Sequence, residues 1–362
     1  MIVAVLGAGG TIAPAVIRDL AESEEVTGLR LLDIDGGRAA AVAGEHGLGK
    51  AEVRSVDARA DLAGAIAGCT ALVNCASYRV NIEAMRAALA AGSHYVDLGG
   101  LYWMTGRQLE LHDEFERAGL TAVLGIGSSP GKTNVMAARA VRELDTVEAL
   151  HVSAAGRDLD PPGGFSPPYA VQTLLDEITM APVAIRDGEP VELSPLAGGG
   201  EVDFGEPIGS AATIYTLHSE LRTFAQSFGC REASFRLSLA AATEAKLREL
   251  AGATPADVER AAREARPQSA RTCSVHLVEG RGDGRQVRVR AVTMPVDSWR
   301  LGGGVVSTGA PAAAAVRLLA RGRISARGAL PPERCIDPDD LFPELEARGC
   351  RFELDVAERI AA

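Results

Sequence analysis

The sequence is almost without lysine. Three of its 37 basic residues are lysine, namely Lys50, Lys132 and Lys246. Where a fixed positive charge suffices, this chain uses arginine, so each lysine asks for a reason of its own. Positive charge is itself short: the net charge is −11. That excludes nucleic acid or an anionic membrane surface as the main partner, while leaving room for a local basic pocket. The six cysteines (Cys69, Cys75, Cys230, Cys273, Cys335 and Cys350) contain no C-x-x-C pair, so they read as free thiols of a reducing cytosol rather than metal ligands or disulfides. The six histidines form no H-x-x-x-H pair, which removes the usual structural zinc spacing. No apolar run approaches the ~20 residues of a membrane span. Ala310–Ala320 is too short and carries Arg317. No basic segment precedes the strand-like start Met1–Leu6, so a cytoplasmic protein without a targeting segment is expected.

What is present is alternation. Strand-like apolar runs fall at Ile2–Leu6, Leu29–Leu32, Val53–Val56, Ala71–Asn74, Tyr95–Leu98 and Thr121–Gly125. Helical patterns lie between them at Ile12–Ala21, Asp61–Ala67, Asn81–Ala91 and Arg107–Arg117. This predicts an α/β fold, a doubly wound parallel sheet covered on both faces. The chain then changes character, with Pro/Gly loops at Pro161–Pro168 and Leu196–Pro207. Antiparallel signals follow: Cys273–Val278 pairs with a strand beginning at Gln286, and Glu279–Arg285 is read as the hairpin loop. Three segments are expected: residues 1–128 as a dinucleotide-binding domain, 129–303 as an inserted α+β domain, and 304–362 returning to the first.

The chemistry starts at the first strand–helix junction. Gly7-Ala8-Gly9-Gly10 follows an apolar strand, and the helix begins near Thr11 and Ile12. The first glycine permits the tight turn and the second admits a pyrophosphate to the helix N-terminus. The small residue usual at the third position comes one later, at Ala13. The second strand ends at Asp33, placed to accept ribose hydroxyls and to repel a 2′-phosphate, which favours NAD with NADP as the alternative. Asp57 and Ala58 end the third strand beside the expected adenine. Asn74, Cys75, Ala76 and Ser77 end the fourth, where a dinucleotide crosses such a sheet.

A second glycine-rich stretch, Gly125–Asn134, reads GIGSSPGKTN. Its end resembles a P-loop, but the required leading glycine would fall at Ile126, and Pro130 lacks an N–H donor. It is read instead as the loop leaving a late strand at its carboxyl end. The reactive half of a dinucleotide meets its substrate at that edge.

The chain resembles the saccharopine dehydrogenase superfamily, and most closely its L-lysine 6-dehydrogenase-like members. The resemblance rests on Gly7–Gly10, VNCASYRVN (Val73–Asn81), YVDLGG (Tyr95–Gly100), Leu109–Asn134, IYTLHSE (Ile214–Glu220) and RISARGALPPE (Arg323–Glu333). It departs from the lysine oxidisers at Leu101 and after His218. The resemblance implies a nicotinamide-dependent enzyme acting on a C–N bond of an amino acid or amine, and a homodimer built on the inserted domain. A reductase that condenses an amine with an oxo-acid, or a dinucleotide sensor without turnover, are the alternatives. Tyr78, Lys132 and His218 are the candidate acid/base groups. Arg79 and Arg222 are candidate carboxylate clamps, and Asp97 and Asn134 complete the expected substrate set.

Overall fold

The computed structural model describes residues 1–358. The chain forms two compact units. The first comprises Met1–Val135 and Val305–Arg348; the second comprises Met136–Gly304 and the chain from Gly349.

The first unit is a parallel sheet of seven strands. They are β1 (Ile2–Leu6), β2 (Gly28–Asp33), β3 (Ala51–Ser55), β4 (Ala71–Asn74), β5 (His94–Asp97), β6 (Thr121–Val123) and a returning β15 (Gly328–Leu330). Their order is β15-β6-β5-β4-β1-β2-β3. Strand order therefore reverses between β1 and β4, and ligands bind at such switch points, outside the carboxyl ends of the strands. The central strands β1 and β4 are apolar because both faces are covered: Val3, Val5, Leu72 and Val73 have no exposure, whereas the edge strand β3 exposes Glu52 and Arg54. Helix α1 (Ala13–Glu22) starts with Pro14 in its first turn and buries Val16, Ile17 and Leu20. Proline is tolerated there because its missing N–H would have had no helical acceptor.

Helix α2 (Gly36–His46) is an addition to the expected elements. Its two leading glycines disguise it, but Asp35 caps it by accepting from Arg38 N–H. After α3 (Leu62–Ala65) and α4 (Asn81–Ala91), the single helix expected at Arg107–Arg117 is two, α5 (Tyr102–Leu109) and α6 (His112–Arg117). The break comes where Leu111 N–H bonds back to Gln108 O.

The second unit is a mixed sheet. Its strands are β7 (Ala149–Asp158), β8 (Val183–Arg186), β9 (Glu189–Glu192), β10 (Gly198–Asp203), β11 (Ser210–Tyr215), β12 (Glu232–Ser238), β13 (Thr272–Gly282), β14 (Arg285–Thr293) and β16 (Cys350–Glu358). The path runs β10-β11-β12-β7-β13-β14-β16, with β8 paired to β12 and β9 to β8. The hairpin loop is shorter than the sequence suggested. Glu279–Gly282 continues β13, and only Asp283 and Gly284, both at positive φ, make the turn. Gly282 is a glycine for another reason: a Cβ there would lie 1.8 Å from Thr146 O.

The C-terminal segment also differs from its expected course. β15 joins β6 in the first unit, but β16 pairs along its length with β14 in the second. Arg290 facing Glu353 supplies an ion pair across that register at 2.8 Å. The Gly303–Ala320 helix is long and apolar enough to span a membrane by composition, but 72% of it is buried inside the protein.

Candidate active site

Gly7 has φ +75°, and a Cβ on it would lie 2.6 Å from Ala76 N. The turn after β1 therefore touches the backbone after β4, which brings Cys75 and Ala76 against the glycine loop. Gly9 N–H donates to Asp33 Oδ2 at 2.8 Å, and a Cβ on Gly9 would meet Arg38 Cβ at 2.9 Å. Gly10 N–H closes the turn on Gly7 O at 2.9 Å. Thr11 is exposed, and Ile12, the N-cap of α1, provides no capping side chain. The result is a helix N-terminus open to an anion, walled by atoms that admit no side chain at Gly7 or Gly9. These features fit a dinucleotide pyrophosphate.

Asp33 is only partly exposed, and its Oδ1 accepts from Asp35 N–H at 2.9 Å. Asp57 is exposed and closes a local turn onto Arg59 N–H; Ala58 packs against the core. Ser77 is exposed and caps the short Tyr78–Val80 helix. The Cys75 thiol is pushed up to about 12 by burial and then by the charge of Asp97, so it is not a thiolate nucleophile.

Beneath the carboxyl ends of β4, β5 and β6 lies a buried polar network. Asp97, 1% exposed, accepts from Gly99 N–H (2.9 Å), Gly125 N–H (2.6 Å) and Gln108 Nε2 (2.5 Å). Burial raises its carboxyl above the ordinary range, and these donors partly offset that. Asn74 donates to Asn81 Oδ1 and Tyr95 OH and accepts from Ala76 N–H. Asp97 and Asn74 were expected at substrate and cofactor. Their side chains tie together the loops that follow three adjacent strands. Asn134 is likewise tied into the fold. Its Oδ1 accepts from Gly131 N–H at 2.8 Å and its Nδ2 donates to Glu333 at 2.8 Å, which takes up the amide in fixing the turn.

That turn is no phosphate cradle. Gly125 and Ile126 N–H go to Asp97, Gly127 N–H to Pro130 O, Lys132 N–H to Gly127 O and Thr133 N–H to Ser128 O. What it does is bury a lysine. Lys132 opens α7 (Lys132–Val141) with no exposure, and its Nζ donates to Ser307 Oγ at 2.7 Å. Tyr78, 5% exposed, follows β4 directly. Trp103 meets its ring edge-on at 5.9 Å, and the exposed Arg79 lays its guanidinium over it at 4.9 Å. In the first unit, Tyr78 and Arg79 thus follow the carboxyl end of β4 in a short helix, and Lys132 follows β6 at the start of α7.

His218 and Arg222 belong to the second unit. His218 is 6% exposed and stacks on Phe235, ring centroids 3.5 Å apart. Its Nδ1 lies 3.2 Å from Glu220 Oε2, and its Nε2 lies 3.9 Å from Glu177 Oε2. Arg222 is half-buried and ends the short Ser219–Arg222 helix. Sequence reasoning missed Ser307, Gln108, Glu333, Glu177 and Tyr169. None carries a local signature, because each meets its partner only through the fold.

A sequence model of the family described as "Saccharopine dehydrogenase NADP binding domain" matches residues 3–123. Among solved structures, the chain is similar to apo saccharopine dehydrogenase (L-Glu forming) from Saccharomyces cerevisiae. Identity is 15% over 98% of this chain and 99% of that one, with a TM-score of 0.72. A probable dehydrogenase from Thermotoga maritima matches 97% of this chain and 98% of its own at 12% identity and a TM-score of 0.48. The first likeness shows a shared fold. Residues 3–123 are a nicotinamide-dinucleotide domain of the saccharopine dehydrogenase type, and the chain is an oxidoreductase using NAD or NADP.

Proposed function

We propose that this oxidoreductase acts on a C–N bond of an amino acid or amine, by oxidative deamination or by imine reduction. The observation that carries the reading is Lys132. A chain that writes arginine almost everywhere places one of its three lysines, fully buried, at the carboxyl edge of the cofactor sheet. Lysine differs from arginine there because burial can make it release its proton. Amine oxidation needs such a group, since only the neutral amine can give up a hydride.

The dinucleotide, held by the Gly7–Ile12 turn and Asp33, would supply the hydride chemistry. The chain's own residues do the rest. Lys132, kept in place by Ser307, takes or returns the proton at the substrate nitrogen. Tyr78, clamped by Trp103 and Arg79, walls the site. Arg79 offers an exposed guanidinium to a substrate carboxylate. His218 and Arg222 serve as a second acid/base group and a second carboxylate clamp. A cytoplasmic homodimer is part of the same proposal.

The test is NADH fluorescence with a panel of amines and amino acids, with and without oxo-acids. Turnover with an amine alone supports deamination. Turnover only when amine and oxo-acid are both present indicates a condensing reductase. Cofactor binding with no turnover across the panel would overturn the proposal.

A further inference from the structure

The imidazole of His218 is held on three sides. One face stacks on Phe235 with the rings 17° apart. Nδ1 faces Glu220, two residues along the chain. Nε2 faces Glu177, which comes from a different element, α8 (Val171–Thr179). Leu217 N–H donates to Glu177 O at 2.9 Å, so the backbone of α8 is tied to the residue before the histidine. Glu177 and Glu220 are 7% and 0% exposed. A carboxylate only accepts, so Nδ1 carries a proton toward Glu220. Nε2 is then the nitrogen that gains and loses one. It is buried and has no hydrogen-bond partner among the described residues. The oxygen it faces, Glu177 Oε2, accepts the hydroxyl of Tyr169.

We propose that Glu220 and Glu177 are positioning residues for His218: Glu220 fixes its tautomer, and Glu177, steadied by Tyr169, provides a second seat for the Nε2 proton. The exchange is balanced. The N–H bond at Nε2 breaks, an O–H bond at Glu177 Oε2 forms, and the net charge of the cluster is unchanged. Bringing the 3.9 Å separation to hydrogen-bond length takes a movement of about 1 Å.

The surroundings agree. Burial alone would lower the His218 pKa, but Glu220 and then Glu177 outweigh it and the ring is held above its ordinary value. Glu177 is raised, first by burial, with Glu220 and Asp176 adding repulsion against the pull of His218 and Tyr169. Both partners therefore favour holding a proton. Of the other charged groups nearby, Arg222 lies on the same turn as Glu220. On β8 and β12, which pack against that turn, Arg186 pairs with Glu232 and Arg236 with Glu279.

Only the link to turnover rests on the acid/base role proposed for His218; the proton sharing does not. The test separates the two. In the full chain, ¹⁵N NMR of the His218 imidazole reports its tautomer and titration in the parent, Glu177→Gln, Glu220→Gln and Tyr169→Phe. Glu177→Gln is expected to move the titration down by about one pH unit. Glu220→Gln is expected to lower the Nδ1–H fraction. Tyr169→Phe, which removes a donor that favours the Glu177 carboxylate, is expected to move the titration down by less, and it stands in if Glu177→Gln does not fold. An unchanged titration in Glu177→Gln and Tyr169→Phe, or an unchanged tautomer in Glu220→Gln, overturns the proposal. If the titration moves while the pH profile of kcat/KM does not, the proton sharing stands and the catalytic role of His218 falls.

Discussion

Two strand-to-helix turns in the first unit are rich in glycine, and they use it in opposite ways. The Gly7–Ile12 turn ends in a helix whose N-cap brings no side chain. The Gly125–Asn134 turn satisfies its own backbone: Asp97, Asn134 and its own carbonyls accept its N–H groups. The first also spends the Gly7, Ala8, Gly9 and Gly10 N–H groups on Leu32 O, Asp33 and Gly7 O, but leaves the helix N-terminus beyond them open to an anion. The second is a closed scaffold whose product is a buried side chain, Lys132. Composition alone does not separate them. The difference lies in where the N–H groups go.

The sharpest way to break this comparison is at Lys132. Lys132→Met is expected to lower turnover by about 10²–10⁴-fold if proton transfer is lost, with NAD(H) affinity little changed, because the phosphate donors lie on the other turn. Lys132→Arg keeps the charge without the ready proton. Steady-state kinetics and direct cofactor titration decide. If arginine restores most of the turnover, the charge matters and proton release does not. If both variants bind NAD(H) poorly, the second turn is part of the cofactor site and the contrast fails.

A paired substitution comes next. Gly9→Val should weaken NAD(H) binding by tenfold or more, roughly 1.4 kcal/mol or above, because its first carbon already presses on Arg38 and Asp33. Gly131→Ala should do the reverse. Its φ is +122° and a Cβ would sit 2.4 Å from Gly127 N, so the expected cost is about 1–3 kcal/mol of stability. Thermal melts and cofactor titrations on both variants check the crossing. A Gly131→Ala protein that melts like the parent but binds NAD(H) weakly would merge the two turns into one function.

Asn134→Ala probes the same scaffold more gently. It removes the acceptor for Gly131 N–H and the link to Glu333, and should cost about 1–2 kcal/mol, read as a lowered melting temperature with cofactor affinity intact.

These cases also show what the sequence discloses. The glycine loop and Asp33 were legible because the features that define them lie within one strand–turn–helix unit and the strand beside it. Lys132 stood out by rarity. Its anchor Ser307 did not, being 175 positions away. Asp97, at the end of β5, and Asn134, in the first turn of α7, were singled out as polar residues for ligand contact, and their side chains also hold the loops beside them. Nothing local says whether a polar side chain at such an edge faces a ligand or the loops beneath it. Arg281 and the glycines beside it looked like a turn, but these residues continue β13, and Gly282 is there for close approach to Thr146 rather than for bending. The last strand escaped because its partner, β14, is far away in sequence.

The smallest expected effect concerns the choice between NAD(H) and NADP(H), and it returns to the open turn. Asp33 ends β2 with its carboxylate on Gly9 N–H and Asp35 N–H. It shapes the loop and also places a negative charge where a 2′-phosphate would sit. Arg38, exposed in the first turn of α2 and packed beside Gly9, opposes that charge. The carboxylate is nearer the strand end than the flexible guanidinium, so NAD(H) is expected to bind more tightly, by about tenfold or less. Both cofactors must be titrated at one ionic strength, because the discrimination is electrostatic and screened by salt. Asp33→Asn is the informative variant. Its amide oxygen can still accept from Gly9 while the charge is gone, so the preference should narrow or invert without loss of NAD(H) binding. Arg38→Ala should widen it. Equal or tighter NADP(H) binding by the parent would sink the argument, and an Arg38→Ala protein that then lost NADP(H) alone would identify Arg38 as the phosphate partner.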